Sequence, residues 1–244
     1  MNRTNLAVEE ENFNEFENIN TAESKKYKHK IEKITHPKLV YYFIKRTFDI
    51  VAGIIGILIL IPLSIFVFIM RIIKKENDGP MFYKQLRIGK NGKEIRIFKY
   101  RTMVMNADEK LVQYLEENEE AAKEYKKYKK LRKDPRITKV GAFLRKTSLD
   151  EFPQFINVLL GQMSVVGPRP YLHREKKDMD WYYDKIIKVK PGITGYWQVN
   201  GRSDVDFKDR LIMDTYYMEH KSLVMDTKII IKTAMKIFKK EGAI

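Results

Sequence analysis

The sequence predicts a helix-rich α+β protein with a membrane-embedded apolar segment, a short β-hairpin and amphipathic interfacial helices. Three observations predict it. Ile50 to Met70 is an uncharged run of 21 residues, which at about 1.5 Å per residue just matches a hydrocarbon layer ~30 Å thick. Two short stretches rich in β-formers, Met81-Phe82-Tyr83 and Ile95 to Tyr100, flank Gly89-Lys90-Asn91-Gly92, which has hairpin-turn chemistry. Most of the remaining chain carries apolar residues at helical spacing.

The bulk composition narrows the classes. A chain of 244 residues suits one large domain, or one domain with appendages. There is no cysteine, which excludes disulfides and thiolate metal sites. His29, His36, His173 and His220 are too scattered to suggest a zinc site. Forty-seven Lys and Arg against 32 Asp and Glu give a net charge of +15. Such an excess attracts polyanions: nucleic acid, anionic lipid or phosphorylated substrates. Nucleic acid is not expected as a partner, because the chain shows no helix-turn-helix, zinc or aromatic RNA-binding signature.

Taken in order, the chain divides into residues 1–41, a polar then basic segment; 42–76, the membrane segment; and 77–244, the main domain. Residues 1–24 are acidic and polar, with Glu9, Glu10 and Glu11 in a row, and read as a loosely ordered tail rather than a signal peptide. Lys25, Lys26, Lys28, Lys30 and Lys33 make a basic, helical approach segment. In the apolar run, Pro62 sits near the middle with Ser64 close by, and a proline there breaks or kinks a helix. Lys45 and Arg46 precede the run, and Arg71, Lys74 and Lys75 come after it. A spanning helix has one basic side, so basic flanks at both ends suit a hairpin that enters and leaves on one face. A single-pass anchor remains open, since proline also occurs in spanning helices.

Asp78-Gly79-Pro80 is a turn, and the two strands come next. Asn106 to Lys133 reads as a charged surface helix, with Leu111, Leu115, Tyr125, Tyr128 and Leu131 recurring at helical spacing. Asp134-Pro135 ends it. Next comes Arg145-Lys146-Thr147-Ser148-Leu149-Asp150-Glu151-Phe152-Pro153-Gln154. Ser148 with Glu151 three places on reads as a capping box, so a helix is expected to start there and to stop at Gly161. Local pattern allows a plain cap, or a carboxylate nucleophile beside a second carboxylate at a helix start that favours phosphate. Ser164-Val165-Val166 is a short strand, and Gly167-Pro168-Arg169-Pro170 frames one arginine between two prolines, a rigid way to aim a guanidinium. Pro191 to Gly195 reads as a second rigid turn. Leu211 to Lys240 is helical, and Lys228, Lys232, Lys236 and Lys240 form one basic stripe. Such a helix suits an anionic membrane surface or, equally, a surface position with its apolar side in a core.

Several ordered stretches resemble one family. Lys99-Tyr100-Arg101-Thr102-Met103, Asp134 to Thr138, Arg145 to Gln154, Gly161 to Pro170 and Pro191 to Arg202 are similar to motifs of the bacterial sugar transferases. These are monotopic phosphoglycosyl transferases that act on polyprenyl phosphate. The likeness runs from about Tyr42 to the C-terminus. The charged helix before Asp134 and the ending Glu241 to Ile244 look most like the undecaprenyl-phosphate galactose or glucose phosphotransferase branch.

The resemblance implies transfer of a sugar-1-phosphate from a UDP-sugar to undecaprenyl phosphate, with release of UMP, as the first membrane step of surface-glycan assembly. It implies a re-entrant helix-break-helix hairpin broken at Pro62 and Ser64, on the cytoplasmic face of a bacterial cell membrane. It implies a catalytic dyad, Asp150 and Glu151, that also binds Mg2+, with Asp150 forming an aspartyl-phosphosugar. Arg145 and Arg169 become the expected phosphate contacts, followed by Lys99, Arg101 and Arg136. A homodimer is compatible with it. The chain departs from the family's larger members, which carry a multi-helix region in front, and it has Lys221 and Val224 where relatives often place Trp.

Overall fold

The computed structural model describes residues 36–128, 131–201 and 205–239. The expectations for residues 1–24, the Lys25–Lys33 segment, Arg202 and the last residues from Lys240 lie outside them. The chain forms two compact units that divide after Lys45, and the second, residues 46–244, carries the main domain.

The first helix, α1, covers His36–Ile73 and continues helically through Pro62. It is the one described helix long and apolar enough to cross a membrane. Its polar and small residues form a single docking stripe. Arg46 donates to the carbonyls of Val158 and Leu159, at 2.8 and 2.9 Å. Asp49 accepts from Ser164 Oγ and the Val165 N–H. Gly53 lies against Leu159 and Gly56 against Phe155, where a Cβ would come within 2.3 Å of the ring. Leu60 and Val67 are buried with Tyr100, Val140 and Leu144. Arg71 donates to the carbonyls of Glu76 and Gly79. The spacings of three and four place all of these on one side of the helix. The opposite side is bare hydrocarbon: Leu58 is 64% exposed and Ile65 58%.

The expected break at Pro62 is not an interruption of the helix. Pro62 removes the N–H that the Leu58 carbonyl would otherwise accept from. Ser64 does not replace it. Its hydroxyl lies 2.7 Å from the Leu60 carbonyl, a back-bond that bends helices, and 2.7 Å from Tyr100 Oη.

Strands β1 (Phe82–Ile88) and β2 (Glu94–Tyr100) form the expected antiparallel hairpin, longer than the sequence suggests, in register from Phe82 opposite Tyr100 to Ile88 opposite Glu94. The turn between them is a 3-10 turn over Lys90–Gly92, with Asn91 and Gly92 at positive φ. Side chains alternate along a strand. Ile95 and Ile97 therefore face one core, with Val158 and Met163, and Lys99 is in phase with them. Tyr100 faces the other way, onto α1.

The single charged helix expected over 106–133 is two: α2 (Ala107–Glu117) and α3 (Glu119–Tyr128). Asn118 is extended between them, and its side chain accepts from the Ala121 N–H, capping α3. Leu111, Ala121 and Leu131 hold a small separate core. Helix α4 (Lys139–Lys146) is capped by Thr138, which accepts from the Gly141 N–H. Helix α5 (Gln154–Leu159) ends before Gly161, at φ +75°, as expected. Asn157, fully buried, ties α5 to β2 by accepting from the Phe98 N–H and donating to the Arg96 carbonyl.

Strand β3 (Ser164–Val166) pairs in parallel with β4 (Gly192–Thr194), so the expected turn at 191–195 contributes a strand. Between them lies the short helix α6 (Tyr182–Ile186). Helix α7 (Tyr196–Asn200) leads to α8 (Phe207–His220) and α9 (Leu223–Lys239), so the C-terminal helix is also two. The basic stripe of α9 points inward in part. Lys232 donates to Asn200 Oδ1, and Lys236 to the Gln198 and Gly201 carbonyls. Val224, Ile231 and Ile237 face outward, each at least half exposed. Lys236 thus satisfies backbone carbonyls at the end of α7, and Lys232 pairs with the Asn200 side-chain amide.

Candidate active site

The carboxylate pair sits on a turn, not on a helix start. Helix α4 ends at Lys146, and Ser148 then takes a left-handed conformation, φ 56°. An N-cap residue needs extended backbone, so the capping box expected of Ser148 and Glu151 does not form, and Ser148 caps nothing. Leu149–Glu151 is a 3-10 turn, pinned because Leu149 and Phe152 pack against the core around Leu60 and Tyr100. With its apolar neighbours held inward, the turn presents Asp150 and Glu151, both half-buried, side by side.

Strand β2 delivers the first cation. Lys99 Nζ lies 2.5 Å from Glu151 Oε1. Burial alone raises the Glu151 pKa, but the Lys99 charge and hydrogen bond, with Arg169 and Arg87 further off, hold it below the ordinary value. Asp150 goes the opposite way. Burial, then the Glu151 charge, push it up to about 6, against the pull of Lys99 and Arg145. The two adjacent acids are thus driven apart, as an acid–base or nucleophile–ligand pair requires.

Arg145, at the end of α4, donates from Nε to Thr102 Oγ1 at 3.0 Å. Burial lowers its pKa, and the Asp150 charge works in the other direction. Arg169 is half-buried, on a loop locked from three sides. Its own N–H donates to Asp214 Oδ2, as does the Tyr171 hydroxyl at 2.8 Å. Arg87 Nη1 donates to the Pro170 carbonyl at 2.8 Å. Gly167 leaves no room for a Cβ, which would come within 2.5 Å of the Lys190 carbonyl oxygen. Beside this loop lies a small cleft lined by Arg87, Lys99, Glu151, Gln154, Arg169 and Gln198 among others. Burial, then the neighbouring Arg169, lower Arg87 to about 9.

Of the residues expected from the sequence, Asp150, Glu151, Lys99, Arg145 and Arg169 come together here. Arg136 and Arg101 are turned elsewhere. Arg136 forks onto Asp134 at 2.8 and 2.6 Å in a buried pair. Arg101 donates to the Pro80 carbonyl and lies over the Tyr83 ring. Arg87, Gln154, Gln198 and Asp214 belong to the site although sequence reasoning misses them as site residues. Arg87 is one of several strand cations, with nothing in its spacing to single it out, and Gln154 closes the dyad stretch itself. Gln198 lies inside the Pro191–Arg202 stretch with nothing to single it out there, and Asp214 carries no local signal.

Asp150 and Glu151 are oxygen ligands of the kind Mg2+ takes. No group of three or more His, Cys, Asp or Glu side chains that could hold a metal occurs among the described residues. Mg2+ needs only one or two carboxylates, because substrate phosphates and water fill its other positions. Asp150, whose ionisation Glu151 disfavours, is the group a nearby divalent cation would relieve.

Comparison with known proteins identifies the family. The family model described as "Bacterial sugar transferase" matches residues 40–240. The undecaprenyl-phosphate galactose phosphotransferase of Salmonella typhimurium is 44% identical over 205 residues, 82% of this chain and 42% of that protein. The exopolysaccharide production protein ExoY of Rhizobium meliloti is 41% identical over 199 residues, 82% of this chain and 87% of that protein. The UDP-glucose:undecaprenyl-phosphate glucose-1-phosphate transferase of Escherichia coli is 38% identical over 208 residues, 82% and 41% respectively. The chain thus spans less than half the length of the Salmonella and Escherichia proteins and most of the length of ExoY. With the matched residues running through α1, the dyad turn and the proline-framed loop, the chain belongs to the bacterial sugar transferase family.

Proposed function

We propose that this chain transfers a sugar-1-phosphate from a UDP-sugar to undecaprenyl phosphate, releasing UMP, at the cytoplasmic face of the membrane. The observation that carries the reading is the turn bearing Asp150 and Glu151, with Lys99 on Glu151 and with Arg145, Arg169 and Arg87 around it. Phosphoryl transfer asks a protein mainly for positioning and charge neutralisation, and this site offers both. The names of the Salmonella and Escherichia relatives point to the same acceptor, and that of the Escherichia protein to a UDP-sugar donor.

In this reading the Asp150 carboxylate attacks the sugar-bearing phosphorus. The bond from that phosphorus to the bridging oxygen breaks, and UMP leaves with the electron pair. An oxygen of undecaprenyl phosphate then attacks the same phosphorus, the bond to Asp150 breaks, and the carboxylate is restored. Arg145 and Arg169 orient the phosphates, and Lys99 keeps Glu151 ionised. Asp150 and Glu151 would hold Mg2+, which when bound neutralises phosphate oxygens.

The lipid acceptor requires the site to stay at the bilayer surface, and the docking of α1 supports that. A spanning helix needs about 20 residues surrounded by lipid. Between Arg46 and Arg71, α1 meets the main domain every three or four residues. That pattern favours a helix embedded by one side, bent near Pro62, with both basic ends on one face.

Asp150→Asn tests the chemistry. It keeps the shape of the turn and removes the nucleophile. The expected result is a correctly folded protein with no UMP release and no protein-bound phosphosugar when labelled donor is supplied. Turnover like that of the unaltered protein refutes the assignment.

A further inference from the structure

We propose that Gln154 and Gln198 together form the hydrogen-bonding patch that reads the uncharged part of the nucleotide-sugar donor. The inference rests on the transfer reading above and deepens it. Gln154 is 1% exposed, and its Nε2 has no hydrogen-bond partner. Gln198 donates from Nε2 to the Ile193 carbonyl at 3.1 Å, which fixes the amide orientation and leaves Oε1 shielded from solvent and unpartnered. Both side chains line the cleft that holds Arg87, Lys99, Glu151 and Arg169.

Buried polar atoms without partners are uncommon, and each calls for an account. Here two such atoms belong to side chains that line one small cleft, one a donor and the other an acceptor. The cationic part of the cleft matches phosphate. The carboxamides beside it match a neutral group that offers an acceptor and a donor together. Two parts of a UDP-sugar have that chemistry: the imide edge of the uracil, where C=O adjoins N–H, and a pair of neighbouring sugar hydroxyls.

The placement of both glutamines is built into the chain. Gln154 comes directly after the dyad turn, three residues after Glu151, and opens α5. Gln198 lies on α7, which starts after β4. Gly195 leaves space for its amide, since a Cβ there would come within 3.1 Å of Gln198 Oε1. A residue that removes donor recognition without touching the dyad raises KM more than it lowers kcat.

The test uses the full chain in detergent or nanodiscs, with Gln154→Met and Gln198→Met, which keep length and remove the amides. The quantities read are KM for the UDP-sugar, kcat, and the inhibition constant of UMP, which carries the base and a phosphate but no sugar. Each variant is expected to raise the donor KM roughly tenfold or more, with a smaller effect on kcat. Parallel weakening of UMP inhibition assigns the patch to the base. Unchanged UMP inhibition assigns it to the sugar. If both variants leave KM and UMP inhibition as they were, or lower kcat alone, the inference is overturned. Should the fully buried Gln154→Met not fold, as circular dichroism would show, Gln198→Met reads the same quantities from a half-exposed position. If the unaltered protein turns over no UDP-sugar at all, the transfer reading itself fails, and this inference with it.

Discussion

Gly141→Ala is a one-methyl change at a distance from the carboxylates that should nonetheless disable them. A Cβ on residue 141 would come within 2.0 Å of the Thr102 carbonyl oxygen. That oxygen already accepts from the Thr138 N–H at 3.0 Å, and Thr102 Oγ1 accepts from Arg145. The obstacle is backbone and cannot rotate away. Real Cβ contacts begin near 3.0 Å, so α4 and the segment after β2 must part by at least about 1 Å. Overpacking of this kind costs roughly 1–3 kcal/mol, and the lost hydrogen bond about 1 kcal/mol more. Better helix propensity returns up to about 1 kcal/mol. The net loss of about 1–3 kcal/mol lowers Tm by roughly 2–12 °C for a protein of this size. Moving Arg145 by about 1 Å relative to Asp150 lowers kcat/KM by about a hundredfold. Thermal unfolding followed by circular dichroism and UMP release from a UDP-sugar measure the two effects. Gly53→Ala, whose Cβ would stand 3.2–3.4 Å from Leu159 Cβ, N and Cα, serves as the milder comparison, because it asks for a shift of only a few tenths of an ångström. If Gly141→Ala matches it in both assays, the close packing of α4 on Thr102 is not what places Arg145.

The same geometry sets three further outcomes. Lys99→Met removes the partner of Glu151 and should cut kcat/KM at least tenfold, with Lys99→Arg recovering part of it; equal activity of all three would separate Lys99 from the chemistry. Asp214 is fully buried, and burial, ahead of its bonds to Tyr171 and Arg169, lifts its pKa to about 7 from an ordinary 3.8. The folded state therefore holds a proton that the unfolded state loses between about pH 4 and 7, so stability falls as pH rises through that window; Asp214→Asn should flatten the fall in urea titrations at pH 5 and pH 8, and parallel curves would contradict it. Cysteines placed at Lys38 and Lys75 should react with a membrane-impermeant reagent from one side only, and labelling from opposite sides would show that α1 crosses.

The parts of this fold that are legible in the sequence are those written in local pattern. The hairpin is visible because β-formers flank a Gly-Lys-Asn-Gly turn. The stop at Gly161 is visible because a left-handed position favours glycine. The meeting of Lys99, Glu151 and Arg169 is legible only through resemblance, since no spacing rule joins residues 52 apart. What escapes the sequence is decided by tertiary competition. Ser148 has the right neighbours for a cap, yet the chain must reverse there and takes a backbone no cap can use. The lysine stripe of α9 suits an anionic membrane surface or a plain surface position; in the fold, backbone carbonyls at the end of α7 hold Lys236, and Asn200 Oδ1 engages Lys232. Arg87 reaches the proline-framed loop from 83 residues away, and Asp214 from 45.

Strand β2 gives consecutive residues to opposite sides: Lys99 to the carboxylate turn and Tyr100 to the apolar helix. Because side chains alternate every residue, a slip of one position would trade these two places, sending an ammonium into hydrocarbon and a phenol toward the phosphates. Side chains on either surface of this ribbon are thus free to drift separately, but its residue count is not. Deletions and insertions should be borne by the outlying α2–α3 pair and never by the seven residues from Glu94 to Tyr100.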